Sequence, residues 1–335
     1  MYYLGLDIGG TKCAVSLGEV TGEESAQTLS VLAKEKFPTE TGKRSPYAVL
    51  DALYFCAEKL LEEKNLTFSD IKGIGISCGG PLDAKTGVIL SPPNLPGWDK
   101  IAAVSYIEEK TGVKTYLQND ANACAVAEWK FGAGRGCENM AFLTFGTGLG
   151  AGLILNGRLY SGTSDMAGEI GHVRLTREDG SAFLPVGYGK RGSAEGYCSG
   201  GGLAQLGQEA VRELLEKGVT PRLYEAAGGD LSNITAKLIG DLAEQEQDAL
   251  CLSIYEKCGA RLGETLSLLI DILNPELIVL GGIFLRSEGL IRPAMERVIE
   301  AETLRFSRQV CRVVPAALGE LIGDYAALSV ATGEF

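Results

Sequence analysis

At 335 residues, 45% hydrophobic and 22% charged, the chain is long enough for two lobes, each with its own core. A net charge of −12 with no stripe of Lys or Arg sets nucleic acid aside as a partner, and an anionic ligand would need backbone donors or a metal to hold it. The opening MYYLGLDIGG has neither the basic nor the apolar region of a signal peptide, no apolar run reaches membrane-spanning length, and nine scattered Cys without a C-x-x-C fit small buried thiols in a reducing cytoplasm.

Residues Tyr2 to Leu6 alternate as a strand, the turn Asp7 to Lys12 (DIGGTK) follows, and Cys13 to Leu17 is a second strand. Gly9 and Gly10 lack a Cβ, so the backbone can turn tightly there. The segment reads either as an ordinary hairpin turn or, with Asp7 and Thr11 beside it, as a loop whose N–H groups approach a phosphate. It is not a P-loop, because the spacing before Lys12 is wrong and no helix follows. Thr21 to Arg44 is polar and predicts loop or edge strand. Ser45-Pro46 marks a helix start, and Leu50, Leu53, Ala57, Leu60 and Leu61 continue it at helical spacing.

Ile71 to Ser77 predicts a strand ending in the loop Cys78-Gly79-Gly80-Pro81. The three prolines of PPNLPGW (92–98) make it a loop, where Asn94 and Trp98 either touch a sugar or form a rigid turn with a tucked-in Trp. Ile101 to Lys110 predicts a helix stopped by Gly112. A short strand, Val113 to Leu117, then opens into a helix from Ala121 to Phe131. Asp120, at that strand-to-helix turn, is either a helix cap or a group projecting from the carboxyl end of a sheet, where open α/β folds place ligands.

Met140 to Phe145 is a buried strand, followed by Gly146 to Gly152 (GTGLGAG) and strand again at Leu153 to Leu155. The spacing G-x-G-x-G before a strand rules out a dinucleotide-binding turn, which needs G-x-G-x-x-G before a helix. Asn156-Gly157 signals a type I′ hairpin. Two glycine hairpins in the same element order suggest an internally duplicated fold. His172, the only histidine, follows Glu169 by three residues in GEIGH. Helices are predicted over Leu203 to Leu215, in two or more pieces over Thr235 to Leu273, over Leu290 to Glu300 and at the C-terminus to about Ala331. Strands are predicted at Leu277 to Leu280, ending in Gly281-Gly282, and at Val310 to Pro315.

In this order DIGGTK, SCGGPL, PNLPGW, QNDANA, TFGTGLGAG, GEIGH and NPELIVLGG resemble the ROK family of sugar kinases and repressors, from Leu4 to about Ala331. The resemblance implies an α/β, two-lobed, actin-like ATPase (ribonuclease H-like) fold with duplicated βββαβα units and a central cleft. The lobes would be residues 1–118 and 119–317, with a C-terminal helix about 318–335 packing back on the first. It implies ATP-dependent phosphorylation of a hexose at the 6-hydroxyl, glucokinase-like, or of an N-acylhexosamine such as N-acetylmannosamine or N-acetylglucosamine. A non-catalytic sugar sensor is the competing class, and a chaperone-like nucleotide-binding protein is disfavoured by the sugar-side segments.

Position by position, Asp120 matches the general base, and Gly80, Asn94, Asn119, Glu169, His172 and Glu195 match sugar-pocket residues. Asp7 matches the residue that helps hold Mg2+. Gly9, Gly10, Thr11 and Lys12 match the first phosphate loop. Thr144, Gly146, Thr147 and Gly148 match the second, and Gly281 and Gly282 the loop beside adenosine. A homodimer is a family expectation. The sequence departs from the family where many members carry a zinc-binding C-x-C-G-x-x-G-C-x-E: Val186, Tyr188 and Ser193 stand in place of the three cysteines. Zinc is therefore not expected, with His172 left to the sugar and packing by Val186 and Tyr188 replacing the metal. A hairpin beginning at residue 4 leaves no room for the winged helix-turn-helix of the repressors, so operator binding is not expected.

Overall fold

A computed structural model describes residues 1–22, 27–175 and 189–335. The chain divides into two compact units: Met1–Phe142 with Gly152–Gly168 and Ala316–Phe335, and Leu143–Ala151 with Glu169–Pro315.

The first unit is built on β1 (Tyr2–Ile8), β2 (Lys12–Thr21), β3 (Thr28–Pro38), α1 (Pro46–Glu63), β4 (Ile71–Cys78), a two-stranded ribbon of β5 (Leu82–Asp83) and β6 (Val88–Ile89), α2 (Ala103–Thr111), β7 (Thr115–Asn119) and α3 (Asp120–Phe131). Its five-stranded sheet has the order β3-β2-β1-β4-β7, with β3 at an edge. Ser45 caps α1 by accepting from Ala48 N–H at 3.2 Å, with Pro46 at the first position. A cap is worth about 1 kcal/mol. The stripe Leu50, Leu53, Ala57, Leu60 and Leu61 is buried against the sheet, and each large side chain there contributes about 1.5–3 kcal/mol, so packing rather than capping holds the helix. Gly112 ends α2 in the left-handed conformation at φ 70°. Trp98 is 2% exposed and packs with Leu95 and Ile101, so it serves the core and not a sugar.

Side chains alternate across β1: Leu4, Leu6 and Ile8 face the α1 core, while Tyr3 packs on the other side with Leu328. Asp7 shares the Tyr3 face and lies at the carboxyl end of the strand.

A four-stranded sheet contains β8 (Met140–Phe145), β9 (Leu149–Ile154), β10 (Leu277–Leu280) and β11 (Arg312–Pro315) in the order β11-β10-β8-β9. This is the order of the first sheet without its edge strand: a hairpin, then two strands reached through helices. The β8–β9 turn is shorter than the glycine run suggests, because the strand resumes at Leu149 and not at Leu153. Gly152 lies within it, where a Cβ would stand 2.5 Å from the Ala121 carbonyl. Asn156 and Gly157, with φ of 53° and 67°, make the left-handed turn that their sequence signals.

Helices α4 (Ala194–Tyr197), α5 (Gly200–Glu216), α6 (Arg222–Ala226), α7 (Ala236–Gln245), α8 (Ala249–Leu273), α9 (Ile283–Glu302) and α10 (Arg305–Val310) complete the second unit. Helix α9 begins seven residues before the expected Leu290. The non-helical Ser287 (φ −117°, ψ 24°) breaks its apolar rhythm, so the first turns do not read as helix in sequence.

The closing helix, α11 (Ile322–Ala331), belongs to the first unit. It lies on the face of the sheet opposite α1, where Gly5, Gly73 and Gly75 leave room for its backbone. A Cβ on Gly5 would stand 2.9 Å from Ala327 Cβ, and one on Gly73 or Gly75 would overlap the α11 backbone. Ala326 and Val330 pack on Ala123 of α3. At the start of α11 the buried Asp324 accepts from Ser16 Oγ at 2.6 Å and pairs with Lys34.

Candidate functional site

In the first unit the β7–α3 junction sets Asn119 and Asp120. The cap of α3 is Asn119: its backbone is extended and its Oδ1 accepts from Ala121 N–H at 2.9 Å. Asp120 Oδ1 accepts from the same N–H at 2.8 Å. The helix therefore has its cap without Asp120, and the carboxylate is available for chemistry. Solvent reaches Asp120, yet enough protein surrounds its carboxyl that desolvation raises its pKa, opposed by the backbone N–H groups it accepts from. A raised pKa makes the carboxylate a stronger base.

Several predicted residues gather around this junction. A Cβ on Gly80 would stand 2.9 Å from Asn119 Nδ2, one on Gly79 would stand 3.3 Å from Asn94 Oδ1, and one on Gly10 would stand 2.5 Å from the Asn94 carbonyl. The glycines let two loops and a hairpin turn converge without side chains between them.

The β1–β2 turn is braced from outside. Gly9 N–H donates to Lys12 O at 3.1 Å, the Thr39 hydroxyl donates to Gly9 O at 2.6 Å, the Thr41 hydroxyl donates to Gly10 O, and Thr39 N–H donates to Thr11 O at 3.0 Å. All four carbonyls are thus engaged, while among the described residues the N–H groups of Gly10 and Thr11 have no acceptor. Thr11 and Lys12 are exposed beside them. Asp7 is half-buried, and its carboxyl is pushed up to about 7 by burial and by the negative charges of Asp120 and Asp324, with Lys34 and Lys36 opposing.

In the second unit the turn Gly146–Gly148 repeats this design. Gly146 N–H donates to Gly148 O at 3.0 Å and Gly146 O accepts from Gly200 N–H at 2.7 Å; among the described residues the Thr147 and Gly148 N–H groups have no acceptor. Thr144 is internal, its hydroxyl exchanging bonds with Gly150 at 3.0 and 3.3 Å, so it supports the turn. Gly281 N–H donates to Leu143 O at 3.0 Å, and Gly282, at φ 63°, sits so close to the Phe145 carbonyl that no side chain fits. The two glycines after β10 thus abut the second hairpin.

Glu195 Oε2 accepts from Leu149 N–H at 3.1 Å and stands 2.7 Å from where a Gly148 Cβ would be. Glu169 precedes the 3-10 turn Ile170–His172 and His172 closes it, and both are exposed. Gly171 of that turn lies against the Leu149 carbonyl and 3.3 Å, measured from an added Cβ, from Glu195 Cβ. Glu169, His172 and Glu195 are thereby held by neighbouring backbone in one unit, as Gly80, Asn94, Asn119 and Asp120 are in the other. Val186 and Tyr188, expected to replace the zinc site, lie outside the described residues.

Four contributors escape sequence reading. Ser199 caps α5 through Gly202 N–H at 2.9 Å, and Gly200 bonds Gly146; the run SGGG was the signal. Asp324 and Lys34 bracket Asp7 from elements separated from each other by 290 residues, a relation no local pattern announces. A recess of about 890 Å3 in the first unit, lined by Trp129, Lys130, Arg135, Arg158 and Phe335 among others, contains none of the predicted residues.

The first turn fits a metal-bound phosphate. Among the described residues the Gly10 and Thr11 N–H groups have no acceptor, and Asp7 is a buried carboxyl also crowded by like charges, which a divalent cation would relieve. Among the described residues no three His, Cys, Asp or Glu side chains gather as a metal site. A Mg2+ ion at Asp7 would also take water and phosphate oxygens, the usual setting for that ion.

Known proteins resemble this chain over most of its length. A glucokinase from Halalkalibacterium halodurans is 34% identical over 284 residues, covering 84% of this chain and 80% of that protein. A glucokinase from Thermotoga maritima is 30% identical over 298 residues, covering 89% and 87%. The crystal structure of a ROK family glucokinase from Streptomyces griseus in complex with glucose and AMPPNP matches with a TM-score of 0.75 at 25% identity, covering 99% of this chain and 100% of that one. The fold is accordingly the actin-like ATPase fold. With its family model matching residues 3–333, this chain belongs to the ROK family.

Proposed function

We propose that the chain is an ATP-dependent sugar kinase that moves the γ-phosphoryl group to the 6-hydroxyl of a hexose, glucokinase-like, with Asp120 as general base. The observation that carries this reading is the division of labour at the β7–α3 junction. Asn119 serves the helix and lies against Gly80, and the adjacent Asp120 presents a carboxylate of raised basicity.

In this reading Asp120 accepts the proton of the attacking hydroxyl, a contribution of about 10² to 10⁴ in rate. Asn94, Asn119, Glu169, His172 and Glu195 hydrogen-bond sugar hydroxyls, each of which would be costly to bury unpaired. The N–H groups of Gly10, Thr11, Thr147 and Gly148 hold phosphate oxygens, Lys12 adds charge, and Gly281 and Gly282 give the nucleoside room. Asp7 holds Mg2+, which when bound neutralises charge on the transferring phosphoryl group. A cytoplasmic location and a homodimer belong to the same proposal, the first supported by nine cysteines without a disulfide.

The test is a panel of hexoses and N-acylhexosamines with ATP and Mg2+, followed by ADP release, with phosphorus NMR of the product to fix the phosphorylated position. Glucose turned over to a 6-phosphate is the expected result. Turnover confined to N-acylhexosamines would replace the substrate, and no turnover with any sugar would remove the kinase reading.

A further inference from the structure

Three strands of the first unit align two lysines with Asp7. Asp7 pairs with Ala14, and Ala14 pairs with Lys36; one row earlier Gly5 pairs with Ser16, and Ser16 with Lys34. Residues two apart share a face, so Asp7, Lys34 and Lys36 lie on the α11 side of the sheet. Only the methyl group of Ala14 separates Asp7 from Lys36. Neighbouring strands are about 4.8 Å apart, so the two Cα atoms are about 10 Å apart, a gap that a lysine stem largely spans.

The two lysines are not equivalent. Lys34 is committed to the buried Asp324, which also takes the Ser16 hydroxyl. Lys36 is exposed and, among the described residues, has no acidic partner. It stands near the end of β3 that leads into Thr39 and Thr41, the two residues that brace the carbonyls of the glycine turn.

We infer that Lys36 is a phosphate-binding residue, supplying from the edge strand a cationic contact to the metal-bound polyphosphate held at the Gly9–Lys12 turn. The inference rests on the kinase reading and extends it to a strand that bears no phosphate motif. Electrostatics agree: the charge of Lys36 reaches the Asp7 carboxyl. The contrary assignment is an edge-strand lysine that only discourages sheet-to-sheet association.

The experiment compares the wild-type chain with Lys36→Met, Lys36→Arg and Lys34→Met. Calorimetry measures binding of magnesium tripolyphosphate and of MgADP, and steady-state assays separate KM for ATP from KM for sugar. Lys36→Met is expected to weaken tripolyphosphate binding and raise KM for ATP about tenfold, the scale of one hydrogen bond to a charged group, with KM for sugar unchanged. Lys36→Arg recovers most of the loss. Lys34→Met instead lowers the melting temperature, because it strands Asp324. If wild type binds tripolyphosphate and Lys36→Met binds it equally, the inference is overturned and the kinase reading stands. If wild type binds neither tripolyphosphate nor MgADP, both are overturned.

Discussion

Glu195, at the start of α4, accepts a hydrogen bond from the backbone N–H of Leu149 at the first position of β9, 3.1 Å away. A residue assigned to the sugar is thereby a strut of the second glycine turn. Glu195→Ala leaves that N–H without its acceptor and removes a sugar ligand, so KM for sugar and KM for ATP should both rise, each by about tenfold or more. Glu195→Gln keeps an acceptor oxygen and should restore KM for ATP better than KM for sugar. A Glu195→Ala variant that changes only KM for sugar would show that the strut is dispensable.

Asp120→Asn is expected to lower kcat by about 10² to 10⁴ while leaving sugar binding and melting temperature near those of wild type. The second part follows from Asn119, which already caps α3 through Ala121 N–H. Stopped assays with coupled ADP detection measure the first, and sugar titration by intrinsic fluorescence the second. Undiminished turnover would remove Asp120 from the mechanism.

What the chain announces about itself depends on range. Ser45-Pro46, Asn156-Gly157 and Gly112 act within a few residues, and each lies where its local chemistry requires. The edge strand β3 was ambiguous because Lys34, Glu35 and Lys36 stand together where a buried strand would alternate with apolar residues. Trp98 was ambiguous because a loop tryptophan can point either way, and here burial won. The Ser16–Lys34–Asp324 cluster and the Glu195–Leu149 bond join residues far apart in sequence, and only the fold brings them together. Motif order identifies the glycine turns, but the bracing of their carbonyls comes from Thr39, Thr41 and Gly200, which lie outside the motifs.

Zinc should be absent at stoichiometric level from protein purified without chelator, as read by plasma emission spectroscopy. Ser193, in place of one cysteine, is fully buried and caps α4 through Gly196 N–H at 3.3 Å, so its hydroxyl already has a structural role. Cys198, the nearby thiol, is raised well above its usual pKa, first by burial and then by Cys258, which disfavours the thiolate a metal needs. One zinc per chain would contradict this and return His172 to the role of metal ligand.

Glu128 is fully buried on α3 and accepts from Ala133, Leu318 and Ala317 N–H groups at 2.8, 2.9 and 3.2 Å. It ties the helix that begins at Asp120 to the segment leading into α11. Glu128→Ala leaves three donors short of an acceptor and is expected to cost at least about 2 kcal/mol of stability, measured by urea unfolding. Glu128→Gln, which keeps one acceptor oxygen, should fall between. Wild-type stability in Glu128→Ala would mean that water replaces the carboxylate without loss.

Two glycine substitutions should move stability in opposite directions. Gly75 on β4 faces α11 so closely that a Cβ would overlap the Ala327 carbonyl and the Ala331 N–H. Backbone cannot yield as a side-chain tip does, so Gly75→Ala must lift α11 from the sheet or distort β4, at about 1–3 kcal/mol or more. Because Asp324 rides on α11 and pairs with Ser16 and Lys34 beside Asp7, the same substitution should also raise KM for ATP. Gly289, inside α9 with nothing within 4 Å of an added Cβ, offers the reverse case. Gly289→Ala lowers the backbone entropy lost on folding and should stabilise by about 0.5–1 kcal/mol without touching kinetics. Chemical denaturation of both variants, run beside steady-state assays, separates a tightly seated helix from one that merely rests on the sheet: equal effects on stability from the two changes would leave α11 without the close seating that its glycine trench implies.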